Sequence, residues 1–231
     1  MSIIQQQLIL VKQQIADCAQ QCGRDPKSIT LLAVSKTKPV SAIQEAIDAG
    51  QFQFGENYAQ EGIEKIRYFA QHLPTTPLTW HFIGALQSNK CRLIAQHFDW
   101  VHTIDRLKIA QRLSTYRAEH ATPLNVLLQI NIDNEITKAG AAVTDLFTLA
   151  QQVVALPHLC LRGLMIIPAP SDDPAQQTAV CLQAAELFAQ LQKRYLTVDT
   201  LSMGMSNDML SAIKAGSTMV RIGSAIFGVR S

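Results

Sequence analysis

The stretch TLSMGMSNDMLSAIKAGSTMVRIGS, residues 200–224, decides the fold. It opens on a short apolar run, Thr200–Met205. The polar trio Ser206-Asn207-Asp208 follows, and these side chains suit the start of a helix. Met209–Ala215 then reads as that helix, and Met219–Gly223 is a second apolar run. A strand, a helix and a strand in so short a span form one βα step of a parallel sheet.

The same rhythm extends outward through the chain. Eight strands are expected: Thr30–Lys36, Phe52–Asn57, Thr79–Gly84, Trp100–Asp105, Leu124–Ile132, Leu159–Pro168, Thr200–Met205 and Met219–Gly223. Helices are expected to start near Val40, Tyr58, Ser88, Arg106, Ala142, Asp173 and Asp208. The longest, Asp173–Leu196, reads with Val180, Leu182, Leu187 and Leu191 inward. Ile3, Ile4, Leu8, Val11 and Ile15 recur at helical spacing, so a further helix leads the chain. Runs such as LLAV, VLLQINI and LMII are almost wholly apolar, as strands buried on both faces must be. At 231 residues the chain is close to the ~250 of one (β/α)₈ barrel. A single barrel over residues 1–231 is therefore the expected organisation. An open doubly wound sheet is the alternative, and the lack of G-x-G-x-x-G after the first strand weakens its dinucleotide-binding version.

Composition excludes several roles. Lys+Arg 20 against Asp+Glu 18 leaves +2, without the basic excess of a nucleic-acid binder. No apolar run is long enough to span a bilayer, and the N-terminus lacks the layout of a signal peptide. The five cysteines form no CxxC pair and no metal set, so free thiols in the cytoplasm are expected.

In such a barrel, chemistry belongs at the C-terminal ends of the strands. Lys36 ends the first apolar run there. Partial desolvation at the barrel mouth would lower its pKa and free the amine to form a Schiff base. The plainer reading is that it snorkels to solvent. Lys38 and Lys138 are loop charges or a basic rim. Ser206, Gly223 and Ser224 follow strands seven and eight, where barrels often bind phosphate. Arg221 lies in strand eight and, if buried, needs a partner. That partner is either a carboxylate such as Glu56 or Asp105, or the ring nitrogen of a ligand. Asn57 could bond a ligand hydroxyl or cap the next helix. His81 is a core histidine or a pocket wall. Met165 and the strand-seven methionines read first as packing.

The motifs LLAVSKTKP, FGENYAQE, WHFIGALQSNK, QINIDNEITKAG, RGLMIIP and LSMGMSNDMLSAIKAGSTMVRIGSAIFG occur in this order. On them, essentially the whole chain resembles the pyridoxal-phosphate homeostasis proteins (the YggS/PROSC group), which are similar to the N-terminal barrel of alanine racemase. The resemblance implies pyridoxal 5′-phosphate held on Lys36, with Ser206, Gly223 and Ser224 on its phosphate. It places Arg221 at the pyridine nitrogen, and Asn57 and Met203 along the ring. Lys38 and Asn207 depart from the commoner family residues. The implied role is vitamin B6 homeostasis in the cytoplasm, with passage of the coenzyme to apo-enzymes that need it.

An amino-acid racemase or lyase is the main rival. Relatives that racemise supply a tyrosine from a second domain, and Tyr58, Tyr68, Tyr116 and Tyr195 all read here as helical. An arginine-held ring nitrogen also makes a weak electron sink. Binding without efficient turnover, by a monomer, is therefore expected. A Schiff-base aldolase and a ligand-free scaffold are the remaining alternatives.

Overall fold

The computed structural model describes residues 1–133 and 139–228. Lys138, the expected basic loop residue, lies outside the described residues. Helix α1 (Ile3–Gln21) leads the chain. The Ser2 hydroxyl accepts from the Gln5 N–H, and the Gln5 side chain accepts from the Ser2 N–H, a reciprocal cap. Leu8, Val11, Ile15 and Ala19 form its buried stripe, while Ile3 faces solvent.

The strands are β1 (Thr30–Val34), β2 (Gln53–Glu56), β3 (Thr79–Phe82), β4 (Trp100–Ile104), β5 (Leu124–Asn131), β6 (Ala141–Ala142), β7 (Leu159–Ile166), β8 (Thr200–Ser202) and β9 (Met219–Ile222). Around the sheet they run β4-β3-β2-β1-β9-β8-β7-β5, and a β4–β5 pairing closes the ring. Every pairing is parallel. Eight strands thus close a barrel, with two-residue β6 as a flank on β5. The helices between them are α2 (Val40–Asp48), α3 (Ala59–His72), α4 (Cys91–His97), α5 (Leu107–Arg117), α6 (Leu146–Val154), α7 (Pro174–Arg194) and α8 (Met209–Lys214). A last short helix, α9 (Ser224–Phe227), follows β9.

Burial explains the composition of the strands. Val126, Leu127, Leu128 and Ile130 of β5 are all buried, because barrel interior and helix layer cover opposite faces. Most of the core lies between barrel and helices. The interior also carries buried polar side chains, among them His81, His102, Ser202 and Arg221.

All eight barrel strands end one to three residues short of their expected ends, and two of these ends shape the mouth of the barrel. The β1 ladder continues to the Ser35 N–H, which donates to Gly55 O at 3.0 Å. Thr37 then takes φ 63°, a left-handed conformation that no strand continues through. Lys36 consequently sits in the turn above β1. In β8 the Met203 N–H still reaches Met219 O at 3.1 Å, and Gly204 at φ 98° turns the chain away. In α7 the buried stripe is Cys181, Ala184, Phe188 and Leu191, and Leu182 is exposed. Of the expected inward residues Leu191 is in that stripe, and Val180 and Leu187 are partly buried against the core beside it. The segment from Ala142 begins as strand and a 3₁₀ turn before α6 starts at Leu146.

Candidate functional site

A cavity of about 440 Å³ opens at the C-terminal ends of the strands. Its walls are Val34, Lys36, Thr37 and Lys38 above β1, Asn57 above β2, Ile83 above β3 and Ile167 above β7. Met205 and Ser206 above β8, Arg221 in β9, and Gly223, Ser224 and Gly228 beyond it complete the lining. Mostly apolar walls with a few convergent polar groups suit a small-molecule site. A second cavity, about 420 Å³, lies at the opposite end, between α1 and the starts of β1 and β2. Of its two lysines, Lys12 and Lys27, the first already donates to the carbonyls of Ala49 and Gly50.

Both neighbours of Lys36 are tied down. Lys65 of α3, itself buried, donates to Ser35 O at 2.8 Å and meets Glu56 Oε1 at 2.8 Å and Glu61 Oε1 at 2.5 Å. The Ser35 hydroxyl donates to Glu56 Oε1 at 2.6 Å, and the Thr37 N–H donates to Glu61 Oε1 at 2.5 Å. One buried ion cluster therefore stabilises the left-handed turn and fixes the direction in which Lys36 leaves the barrel. Burial pushes the Glu56 carboxyl up from its ordinary range, and the Lys65 charge opposes that rise.

Arg221 forms the floor. It is 5% exposed. Nη1 donates to Ser202 O and Ser202 Oγ, both at 2.8 Å, and Nη2 donates to Ile166 O at 2.8 Å. All three acceptors are neutral. Neither carboxylate weighed as a partner reaches it: Glu56 is held by Lys65, and Asp105 pairs with Arg106. Among the described residues Arg221 makes no ion pair. Burial pushes its guanidinium down to about 10, with the Asp208 charge working the other way. A buried cation without a paired anion is a costly arrangement that a ligand can relieve.

Asp208 precedes α8 without capping it. Its Oδ1 instead accepts the Met205 N–H at 2.7 Å, folding the loop that presents Met205 and Ser206 to the cavity. Gly223 lets the chain after β9 close on β1, since an added Cβ would stand 3.2 Å from Val34 O. The Asn57 Oδ1 atom is buried and has no hydrogen-bond partner among the described residues.

Of the expected residues, Lys36, Asn57, Ser206, Arg221, Gly223 and Ser224 come together at this cavity. His81 and Met203 do not join them. Both are fully buried. His81 stacks on Trp100, with ring centroids 5.2 Å apart, and its Nδ1 lies 2.9 Å from His102 Nε2. Met203 lies beneath the Gly204 turn, which puts Met205 in the cavity wall instead.

The sequence profile of the family described as alanine racemase, N-terminal domain, matches residues 11–231. The pyridoxal phosphate homeostasis protein of Escherichia coli (strain K12) is 60% identical over 230 residues, covering 100% of this chain and 98% of that one. Its counterpart in Vibrio cholerae is 58% identical with the same coverage. The chain belongs to the pyridoxal phosphate homeostasis protein family. Its fold is the barrel of the alanine racemase N-terminal domain. A solved structure of PipY from Synechococcus elongatus PCC7942 with PLP bound matches at a TM-score of 0.79 and 38% identity, covering 93% of this chain and 100% of that one.

Within this family frame, sequence reasoning missed several lining residues: Val34, Thr37, Ile83, Ile167, Met205 and Gly228. Ile83 and Ile167 directly follow β3 and β7, so the strand-end rule alone could have found them. The four tyrosines stay outside the lining. Tyr68 and Tyr116 lie within α3 and α5, and Tyr58 and Tyr195 flank α3 and α7. No helix among the described residues is long and apolar enough to cross a membrane.

Proposed function

We propose that this chain is a one-domain carrier that binds pyridoxal 5′-phosphate at Lys36 and buffers it in the cytoplasm, without efficient turnover. One observation carries the reading. The buried guanidinium of Arg221, in no ion pair among the described residues, lines the same cavity as the Lys36 amine, with Ser206 and Ser224 on the cavity wall.

The residues suit the coenzyme. When bound, it supplies an electrophilic aldehyde carbon and an electron-withdrawing ring. Lys36 Nζ would condense with that aldehyde, with loss of water. Arg221 would donate to the ring nitrogen and keep it unprotonated, because an arginine does not release its proton. The orphaned Asn57 amide oxygen would accept from a ring hydroxyl. Ser206 and Ser224 would donate to the phosphate beside Gly223, where no side chain intrudes. Racemisation needs an acid–base group on each face of a substrate carbon. Apart from Lys36, the described lining offers only Lys38, with no tyrosine, histidine or carboxylate. The coenzyme's recipients are apo-enzymes that require it, and the carrier acts as a monomer.

The test is an absorbance spectrum of the protein with added pyridoxal phosphate, for the natural sequence and Lys36→Ala. A visible band that borohydride fixes to the peptide carrying Lys36, and that the variant lacks, supports the reading. Attachment at another lysine, or at none, defeats it. Racemisation or decarboxylation of an amino acid with kcat on the order of 1 s⁻¹ or more would make the protein an enzyme instead.

A further inference from the structure

Beneath Arg221 a polar chain crosses the barrel interior. Ser202 Oγ, which accepts from Arg221 Nη1 at 2.8 Å, lies 3.3 Å from His102 Nδ1. His102 Nε2 lies 2.9 Å from His81 Nδ1, and His81 Nε2 ends the chain without a partner among the described residues. Strands β4 and β8 are not neighbours in the sheet, so the His102–Ser202 contact spans the lumen. Ser202, His102 and His81 are each fully buried.

We propose that Ser202 and His102 are positioning residues for Arg221, and that with His81 they form a one-way hydrogen-bond chain whose two imidazoles are neutral and carry their proton on Nε2. The inference deepens the reading of the cavity as a coenzyme site and rests on it for its functional sense.

The direction follows from charge. Arg221 cannot accept a hydrogen bond, so Ser202 Oγ must turn a lone pair to it. The field of the guanidinium also turns the hydroxyl proton away, toward His102 Nδ1. A His102 Nδ1–H would instead aim a second positive dipole end at the oxygen already facing the cation. His102 Nδ1 is therefore the acceptor and Nε2 carries the proton, which is donated to His81 Nδ1. His81 must then also be protonated on Nε2. The titratable groups facing His102 are His81 and Arg221, and neither favours an added positive charge. The chain thus fixes the guanidinium from below and adds no second cation beneath the cavity.

The experiment is long-range ¹H–¹⁵N spectroscopy of the six histidine rings in the full-length protein without coenzyme. The expected result is two neutral Nε2–H rings, unchanged between about pH 8 and 6, that Ser202→Ala shifts toward Nδ1–H. In the same variant, coenzyme affinity falls about tenfold, as for loss of one charge-assisted hydrogen bond, and the visible band of the loaded protein moves. An Nδ1–H form at either ring of the natural sequence overturns the proposal. So does a Ser202→Ala protein whose ring signals, affinity and visible band are all unaltered. Failure of the natural sequence to bind coenzyme at Lys36 would sink the proposed function instead, and the coenzyme-free spectra would still judge the chain.

Discussion

The Lys65 ammonium donates to the carbonyl oxygen of Ser35 at 2.8 Å, binding α3 to the backbone immediately before Lys36. Through Glu61, the same cluster holds the Thr37 N–H immediately after it. Lys65→Met should therefore act on Lys36 without touching the cavity. Removing one partner of a buried pair costs about 3–5 kcal/mol, which a urea unfolding midpoint would register. The turn that aims Lys36 should also loosen, so uptake of pyridoxal phosphate should slow about tenfold in stopped-flow absorbance. A destabilised variant that takes up coenzyme at the natural rate would show that the cluster serves the fold alone.

The same substitution should change how stability depends on pH. Burial already holds the Glu56 carboxyl above its usual range, and the Lys65 charge is the largest force opposing that. With Lys65 gone, Glu56 stays protonated to higher pH in the folded state than in the unfolded chain. Where the folded state binds the extra proton, stability falls as pH rises. Lys65→Met should thus lose stability steadily from the ordinary carboxylate range upward, more steeply than the natural sequence. Urea midpoints at pH 5, 6 and 7 decide it, and parallel slopes would refute it.

Most of the barrel could be read from the sequence, because parallel strands buried on both faces leave unmistakable apolar runs. The region from residue 200 to 224 shows what could not be read. Periodicity located the strand–helix–strand step, yet Gly204 ends β8 two residues after Ser202 and exchanges Met203 for Met205 in the cavity. That turn depends on a backbone angle, and Asp208, which braces it, resembled an ordinary helix cap. The polar chain beneath Arg221 was hidden for another reason. Ser202 and His102 lie far apart in sequence and on strands that are not neighbours, so only barrel closure brings them together. A polar residue within an apolar strand, as in TLS and WVHTI, was the available hint.

Gly84 illustrates a close approach that sequence alone does not reveal. A Cβ there would stand 2.0 Å from Asn57 O. Gly84→Ala must push apart the ends of β2 and β3, at about 1–3 kcal/mol for an overpacked site. It should also move Asn57 from the cavity wall. Both a lower thermal midpoint and weaker coenzyme binding are expected. Unchanged affinity in a destabilised variant would exclude Asn57 as a contact.

Asp208 should influence the phosphate specifically. Its carboxylate holds the Met205 N–H at 2.7 Å and so shapes the loop carrying Ser206. Asp208→Ala removes that brace and should weaken binding of pyridoxal 5′-phosphate several-fold. Binding of pyridoxal, which has no phosphate, should barely change. Equal losses for both compounds would place the defect elsewhere in the cavity.

The two interior histidines should set the acid limit of the fold. Burial pushes His81 down to about 3 and His102 well below the ordinary imidazole value of 6.5. The unfolded chain takes up both protons as pH drops through 6.5, while the folded barrel does not. The unfolded state then binds more protons, so stability declines as pH falls from about 6.5 toward 3. Each histidine contributes a slope of up to about 1.4 kcal/mol per pH unit. His81→Phe removes one of the two and should roughly halve the decline measured by urea unfolding between pH 6 and 4. A variant that loses stability on acidification as steeply as the natural sequence would mean that other groups set the limit.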